Sequence, residues 1–221
     1  MTHQKRLSAP KHYPIERKHY SYVSGIKGSR SNKTAIPAVL FLRDVTGYAE
    51  SEKEAKQIIR NGQLLRNGER VRDVKEGIGV LDVVTLEEVD EAYRVIIDGN
   101  DLKFVEVDDS EKTIVRIGDK KTEGEEFVYH LHNGDNYRTE ENHDTGSSLL
   151  LNGQAEEVKR EEGAQVLVIS GSHAGDIAEL KEINRRNLDE DTGTVEKEDQ
   201  KFETQLENLV AVENIELGDG Q

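Results

Sequence analysis

The period at which apolar and polar positions alternate changes twice along the chain. Residues 1–36 follow neither the helical nor the strand period, and their few apolar residues are scattered among Lys, His, Tyr, Ser and Gly. From Pro37 the spacing turns helical. Pro37 stands where a helix starts, Val39, Leu40 and Leu42 follow, and Gly47 marks the stop. A second helix opens at Ser51, with Glu54 three residues on in the capping-box pattern. Its Ala55, Ile58 and Ile59 share one face and predict core contact, Lys53, Lys56 and Arg60 lie on another, and Asn61-Gly62 closes it. In "QLLRNGERV", Asn67-Gly68 between two short runs predicts a hairpin, and "GIGVLDVVTL" and "YRVIID" predict strands.

From about residue 93 the pattern is almost all strand. "LKFVEV", "TIVRI", "FVYHLH", "SLLL", "QVLVIS", "IAELKEI", "KFETQ" and "LVAVE" are separated by the turns "DGND", "HNGD", "LNGQ" and "DEDTGT". Strands at this spacing predict small barrels or sandwiches rather than helix crossovers. The expected class is α+β, mostly β, with boundaries near 95 and near 163, where polar "KREEGA" precedes a new apolar run. The closing "ELGDGQ" is expected to fray.

Charge sharpens this division. The formal net charge is −15, from 30 basic and 45 acidic residues. Residues 1–43 hold nine Lys/Arg and one acid, a net of +8, so the remainder carries −23. Such a chain reads as a basic arm on an acidic body, and the acid coat as a surface made for high salt, where the Debye length falls to roughly 3 Å near 1 M. Tyr13, Tyr20 and Tyr22 stand among Lys and His in the arm. The arm reads either as a flexible tail or as a segment that orders on a polyanion, with cations on phosphates and rings on bases. Cys is absent, which excludes disulfides, thiolate metal sites and Cys nucleophiles. The start lacks the apolar core of a signal peptide and no run is long enough to span a bilayer, so an intracellular protein is expected.

Candidate chemistry begins with "VLVISGSHAGDIAEL". Gly171 and Gly175 are spaced G-x-x-x-G, without the third glycine of a dinucleotide loop or the Gly-Lys-Ser/Thr of a phosphate loop, and acids follow where a phosphate would sit. The segment after Gly175 can be drawn as helix or strand; the better reading is a strand, a glycine loop and a returning strand. This resembles a KOW motif through Gly163, Val166, Val168, Gly171, Gly175, Ile177 and Leu180. Residues 175–221 carry 14 acids against five bases, so this part is expected to face solvent rather than RNA.

"EAKQIIRNGQLLRNGERV" resembles the alpha-L RNA-binding fold, with Ala55, Lys56, Gln57, Ile59, Gly62, Leu64, Asn67 and Gly68 on its pattern. Residues 51–75 hold seven Lys/Arg and four acids, a net of +3 in an otherwise acidic chain. "HQKRLSAPKHYPI" resembles the N-terminal signature of the archaeal and eukaryotic ribosomal protein S4e family through Lys5, Arg6, Leu7, Ala9, Pro10, Lys11 and Tyr13, and "GVLDVVTL" resembles that family's segment after the hairpin. The chain departs at "VSGIKGSRSNKT", where the family has a proline-rich stretch.

The resemblance implies a basic rRNA-binding arm at 1–36, an alpha-L RNA-binding domain at 37–95, a central antiparallel β domain at 96–162 and an SH3-like KOW barrel at 163–215. It further implies a structural constituent of the small ribosomal subunit in the cytoplasm, in a salt-loving archaeon. Its partners would be 16S rRNA and neighbouring small-subunit proteins, with no catalysis, cofactor, membrane or small-molecule substrate. Lys5, Arg6, Lys11, His12, Tyr13 and Lys18 would serve the arm's RNA contacts, and Arg43, Lys53, Lys56, Arg60, Arg66, Arg70 and Arg72 would line the alpha-L groove. Two other classes stay open: an RNA-modifying enzyme carrying an alpha-L domain, and a transcription or translation factor using the KOW segment on a protein. His130 and His132 share a strand face, but no third ligand beside them or His143 is defined by spacing, so no metal is expected.

Overall fold

The computed structural model describes residues 4–99, 101–186, 189–198 and 200–213, so the closing "ELGDGQ" lies outside the described residues. Two compact units divide between Glu111 and Lys112. In the first, β1 (Gln4–Lys5) and β2 (Tyr22–Val23) pair antiparallel. The chain continues through β3 (Ala35–Pro37) and α1 (Ala38–Leu40), which widens into a π-type turn at Phe41–Val45. Helix α2 (Glu52–Arg60) and the hairpin β4 (Leu64–Arg66) and β5 (Glu69–Arg70) follow. Then come β6 (Gly77–Gly79), β7 (Val83–Leu86), β8 (Glu91–Asp98) and β9 (Asp101–Glu106). The main sheet runs β5-β4-β7-β8-β9, and β3 pairs with β6 beside it. The boundary expected at 95 falls inside β8. That strand buries Val95, Ile96 and Ile97 in the same sheet as the hairpin, so β8 and β9 extend the first unit.

Residues 4–36 do not hang free; they are packed onto this sheet. The cause is polar as much as apolar. Leu102 N–H donates to the His12 carbonyl at 3.1 Å, and the His12 ring Nε2 meets the Ala35 carbonyl at 3.1 Å. Tyr13 is buried at 3% exposure. Arg17 ties the arm to itself, donating to the carbonyls of Ala9 and Pro10 at 2.7 and 2.8 Å.

The strongest tie is further along. Arg30 places a bidentate fork on buried Asp82, with both bonds at 2.8 Å. Asp82 also accepts from the Asn67 amide and from Gly79 N–H, each at 2.7 Å. Gly77 is demanded here, since a Cβ at that position would lie 2.5 Å from Arg30 Cβ. At the hairpin tip Asn67 and Gly68 have φ of 52° and 77°, the type I′ geometry its sequence predicts.

The second unit holds two five-stranded antiparallel sheets. The first is built from β10 (Thr113–Glu123), β11 (Glu126–Leu131), β12 (Asn136–Thr139), β13 (Ser148–Leu151) and β14 (Ala155–Val158). A bulge between Ile117 and Asp119 lets β10 pair with β13 in its first half and with β11 in its second. Val115, Ile117, Tyr129, Leu131 and Leu149 form its core. The second sheet comprises β15 (Gln165–Val168), β16 (Ile177–Asn184), β17 (Thr192–Lys197), β18 (Gln200–Gln205) and β19 (Leu209–Ala211). Its order β18-β17-β16-β15-β19 is open, and no closed barrel forms among the described residues. The segment after Gly175 is a strand. "DEDTGT", expected as a turn, instead runs into β17, because Gly193 leaves room for Leu180, Leu206 and Leu209, each within 3.0 Å of where its Cβ would be.

Replacing Asp82 with Ala leaves the Arg30 charge, the Asn67 amide and Gly79 N–H without their shared acceptor. Removing one partner of a buried ion pair costs about 3–5 kcal/mol. Urea unfolding of the Asp82→Ala variant is expected to show a loss of that size, against less than about 0.5 kcal/mol for an exposed control such as Glu69→Ala.

Candidate nucleic-acid interface

The basic face of α2 is held by two well-formed ends. Ser51 Oγ accepts from Glu54 N–H at 3.3 Å, and the Glu54 carboxylate reaches back to Glu50 N–H at 2.7 Å, one residue before the position of the usual capping box. At the other end Gly62 N–H donates to Ile59 and Gln63 N–H to Ile58, the Schellman pattern, with Gly62 at φ 77°. Ala55 and Ile59 are buried, so Lys53, Lys56 and Arg60 form one exposed stripe at i, i+3 and i, i+7. Lys56 pairs with Glu52 at 2.7 Å with both side chains about half exposed, a contact that adds little stability and yields easily to a competing anion. The Lys56 hydrogen bond, with further pull from Lys75 and Arg43, holds the Glu52 carboxyl below its usual range, which shows that several cations gather at the start of α2.

The hairpin adds to this stripe unevenly. Arg70 is exposed and lies against Gly62, its Nε 3.0 Å from where a Cβ would stand, so it sits beside the negative end of the α2 dipole. Arg72 is exposed. Arg66 turns inward and donates to the Gly77 carbonyl at 2.6 Å, with Glu76 at 3.9 Å. Arg43 is half-buried, forks onto Asp44 at 2.8 and 3.0 Å and lies 4.7 Å from the Tyr20 ring centroid.

The arm residues divide the same way. Lys5, Lys11 and Lys18 are exposed, and like Lys53, Arg60, Arg70 and Arg72 they make no ion pair among the described residues. Arg6 is 1% exposed and is paired with Asp44, with its guanidinium 5.3 Å from the Tyr20 ring centroid. His12 and Tyr13 are buried. Arg6, His12 and Tyr13, expected to face RNA, are thus turned into the first unit in this structure, because each finds a partner or an apolar site there. Burial pushes the His12 ring below its usual 6.5 despite the Ala35 carbonyl, and pushes the Tyr13 hydroxyl up to about 12.

Tyr20, 44% exposed and flanked by Arg6 and Arg43, and Tyr22, 58% exposed opposite Lys5 on β1, stand among the arm's rings but outside the set of expected contact residues. Their place among Lys and His was visible; their exposure was not. In the second unit Gly171 and Gly175 have φ of 99° and 97° and bend the loop so that Gly175 N–H returns to the Val168 carbonyl at 2.8 Å. The histidines have local partners: His130 meets Asn136 at 2.6 Å, His132 accepts from Arg116 N–H at 3.0 Å, and His143 meets Glu157 at 3.1 Å.

Fold and surface together define a mostly-β protein with few helices, an acidic body and a helix–hairpin whose exposed Lys53, Arg60, Arg70 and Arg72 make no ion pair among the described residues. Residues 162–196 match the KOW motif model. The chain is 32% identical to small ribosomal subunit protein eS4 of Natronomonas pharaonis, over 96% of this chain and 94% of that one. It is 34% identical to eS4 of Halobacterium salinarum, over 96% and 95%. A crystal structure of the 30S ribosomal protein S4e from Thermoplasma acidophilum shares the fold, with TM-score 0.67 and 20% identity over 81% of this chain and 95% of that one. The chain belongs to the small ribosomal subunit protein eS4 family.

His12 offers a pH test of how the arm is held. Its folded-state pKa lies below the unfolded value of 6.5, so the unfolded chain binds the extra proton as pH falls. The stabilisation from burying the neutral ring is complete above pH 6.5 and is lost as pH drops through the folded-state value. The melting temperature is expected to fall less between pH 7 and pH 5 for His12→Gln than for the wild type.

Proposed function

We propose that this chain is a structural constituent of the small ribosomal subunit, binding 16S rRNA and supporting subunit assembly at the cytoplasmic ribosome. The observation that carries this is the exposed, unpaired set of Lys53, Arg60, Arg70 and Arg72 around a doubly capped helix, in a chain that aligns nearly end to end with eS4 relatives. A rigid helix–hairpin that presents cations without acid partners among the described residues, in a chain of net charge −15, is suited to hold a phosphate backbone. Residues 51–70 act as an alpha-L RNA-binding element, and the sheet after 163, which carries the KOW match, acts as an SH3-like module.

The arm's role divides in two. Lys5, Lys11 and Lys18 contact phosphates, with Tyr20 and Tyr22 as rings on which bases stack. Arg6, His12 and Tyr13 hold the arm's shape, and Arg43 and Arg66 brace the groove from behind. The protein positions RNA and neighbouring small-subunit proteins without catalysis, cofactor or small-molecule substrate. No observation favours the RNA-modifying enzyme or the translation factor, since relatives matched over nearly their whole length carry the ribosomal name.

The triple substitution Lys53→Gln, Lys56→Gln and Arg60→Gln removes exposed charges and leaves Ala55 and Ile59 in place. It is expected to weaken binding to 16S rRNA at least tenfold at moderate salt. It should also lower the slope of log affinity against log salt by about 2–3, at roughly 0.7–0.9 per lost phosphate contact. Filter binding across a KCl series measures both. Unchanged affinity and slope would sink the assignment of this face.

A further inference from the structure

The fully buried arginines among the described residues are paired with acids. Arg6 has Asp44, Arg30 has Asp82 at 2.8 Å and Arg94 has Asp109 at 3.1 Å. Half-buried Arg17 instead spends its donors on the Ala9 and Pro10 carbonyls, and the second unit adds two half-buried arginines without an acid in contact. Arg116 and Arg160 are both half-buried, and neither makes an ion pair among the described residues. Partners are not scarce, because residues 112–216 hold 25 acids against 12 bases.

Arg160 donates Nη1 to the Leu206 carbonyl at 2.6 Å, and Arg116 Nε is buried without an acceptor. Gly146 makes space for the arrangement: its φ is 89°, and a Cβ there would lie 2.3 Å from Arg160 Nη2. The two guanidiniums repel each other. Burial and the neighbouring Arg116 push Arg160 down to about 10, and Asp191 offsets this only in part.

Arg160 opens onto a cleft of about 630 Å³ lined also by Lys159, Arg185, Ser147, Asp144 and Asp191. Glu161 completes the acids of its rim. Arg116 feels Glu207 and Arg160 feels Asp191 only through space, without a direct ion pair, so two half-buried like charges gain from an anion that joins them. A guanidinium with free N–H groups presents the planar fork that matches an oxyanion.

We propose that this cleft is an oxyanion site of the second unit, in which Arg160, with Arg116 adjacent and Lys159 and Arg185 at the rim, takes a phosphate-type group. The group's source is either free phosphate or a phosphate of an RNA backbone. This inference stands apart from the ribosomal assignment, since it concerns residues that the assignment does not use.

Calorimetric titration of the full chain with inorganic phosphate, at constant ionic strength set with chloride, tests it. Saturable binding is expected in the wild type, at least tenfold weaker in Arg160→Gln, several-fold weaker in Arg116→Gln and unchanged in Lys201→Gln. Circular dichroism checks the fold of each variant. Lys159→Gln, at an exposed position, is expected to weaken binding about threefold and keeps the test decisive should Arg160→Gln not fold. Displacement of bound phosphate by a short single-stranded RNA assigns the group to an RNA backbone; failure to displace assigns it to free phosphate. Absence of saturable binding, or equal affinity in the wild type and all of the cleft variants that fold, overturns the proposal.

Discussion

The first unit depends on how one buried carboxylate is neutralised. Asp82 sits at the turn between β6 and β7 and collects Arg30 from the arm, Asn67 from the hairpin tip and Gly79 N–H from its own turn. It is 1% exposed, so it must be satisfied by protein. Leu81, next to it, holds φ of 69°, a region that side chains enter reluctantly. Leu81 N–H donates to the Val95 carbonyl at 2.7 Å, and Val95 N–H donates back to the Asp82 carbonyl at 2.9 Å, which keeps that conformation in place. The arm, the hairpin and β8 are therefore locked through Leu81 and Asp82, and the orientation of the hairpin beside α2 follows from that lock.

The same rule explains which cations remain free to act. Residues 1–43 carry a net of +8 by count, but Arg6 and Arg30 are committed to buried aspartates and Arg17 to arm carbonyls. The usable charge is that of the exposed lysines and of the helix–hairpin arginines. A count of formal charge overstates the arm and understates α2, whose cations keep their side chains in water. Self-repulsion among the acids is no obstacle to this arrangement, because charges more than about 8–10 Å apart are screened at ordinary ionic strength.

Much of this was legible in the sequence. Both helices, the Asn67-Gly68 hairpin and nine strands from "YRVIID" onward follow from period and turn residues, because all but β18 have an apolar face of their own. The short arm strands β1, β2 and β3 escaped, as did three strands further on. β12 is polar with no fully buried position, β14 buries Val158 alone, and β17 begins in residues that read as a turn. The stripe Lys53, Lys56 and Arg60 was legible because helical spacing determines its direction. The inward turn of Arg6, His12 and Tyr13 was not, because their partners Asp44, Ala35 and Asp101–Glu106 lie far along the chain, and no local pattern reports a long-range acceptor.

High salt makes this geometry matter more than net charge. Near 1 M the Debye length is roughly 3 Å, so an approaching phosphate responds to the groups it touches and to little else. Counter-ion release then contributes little, and affinity must come from contacts already held in place. The Ser51 cap and the Gly62 terminus supply that rigidity at the two ends of the basic stripe, so few degrees of freedom are lost when a backbone docks. Tyr20, with the Arg6 and Arg43 guanidiniums within 5.3 Å of its ring centroid, would add a stacking contact to that proposed role. On the proposed rRNA-binding role, the acidic body limits where a polyanion can settle without preventing it from settling, and the choice falls at contact distance to capped helix, hairpin and exposed rings.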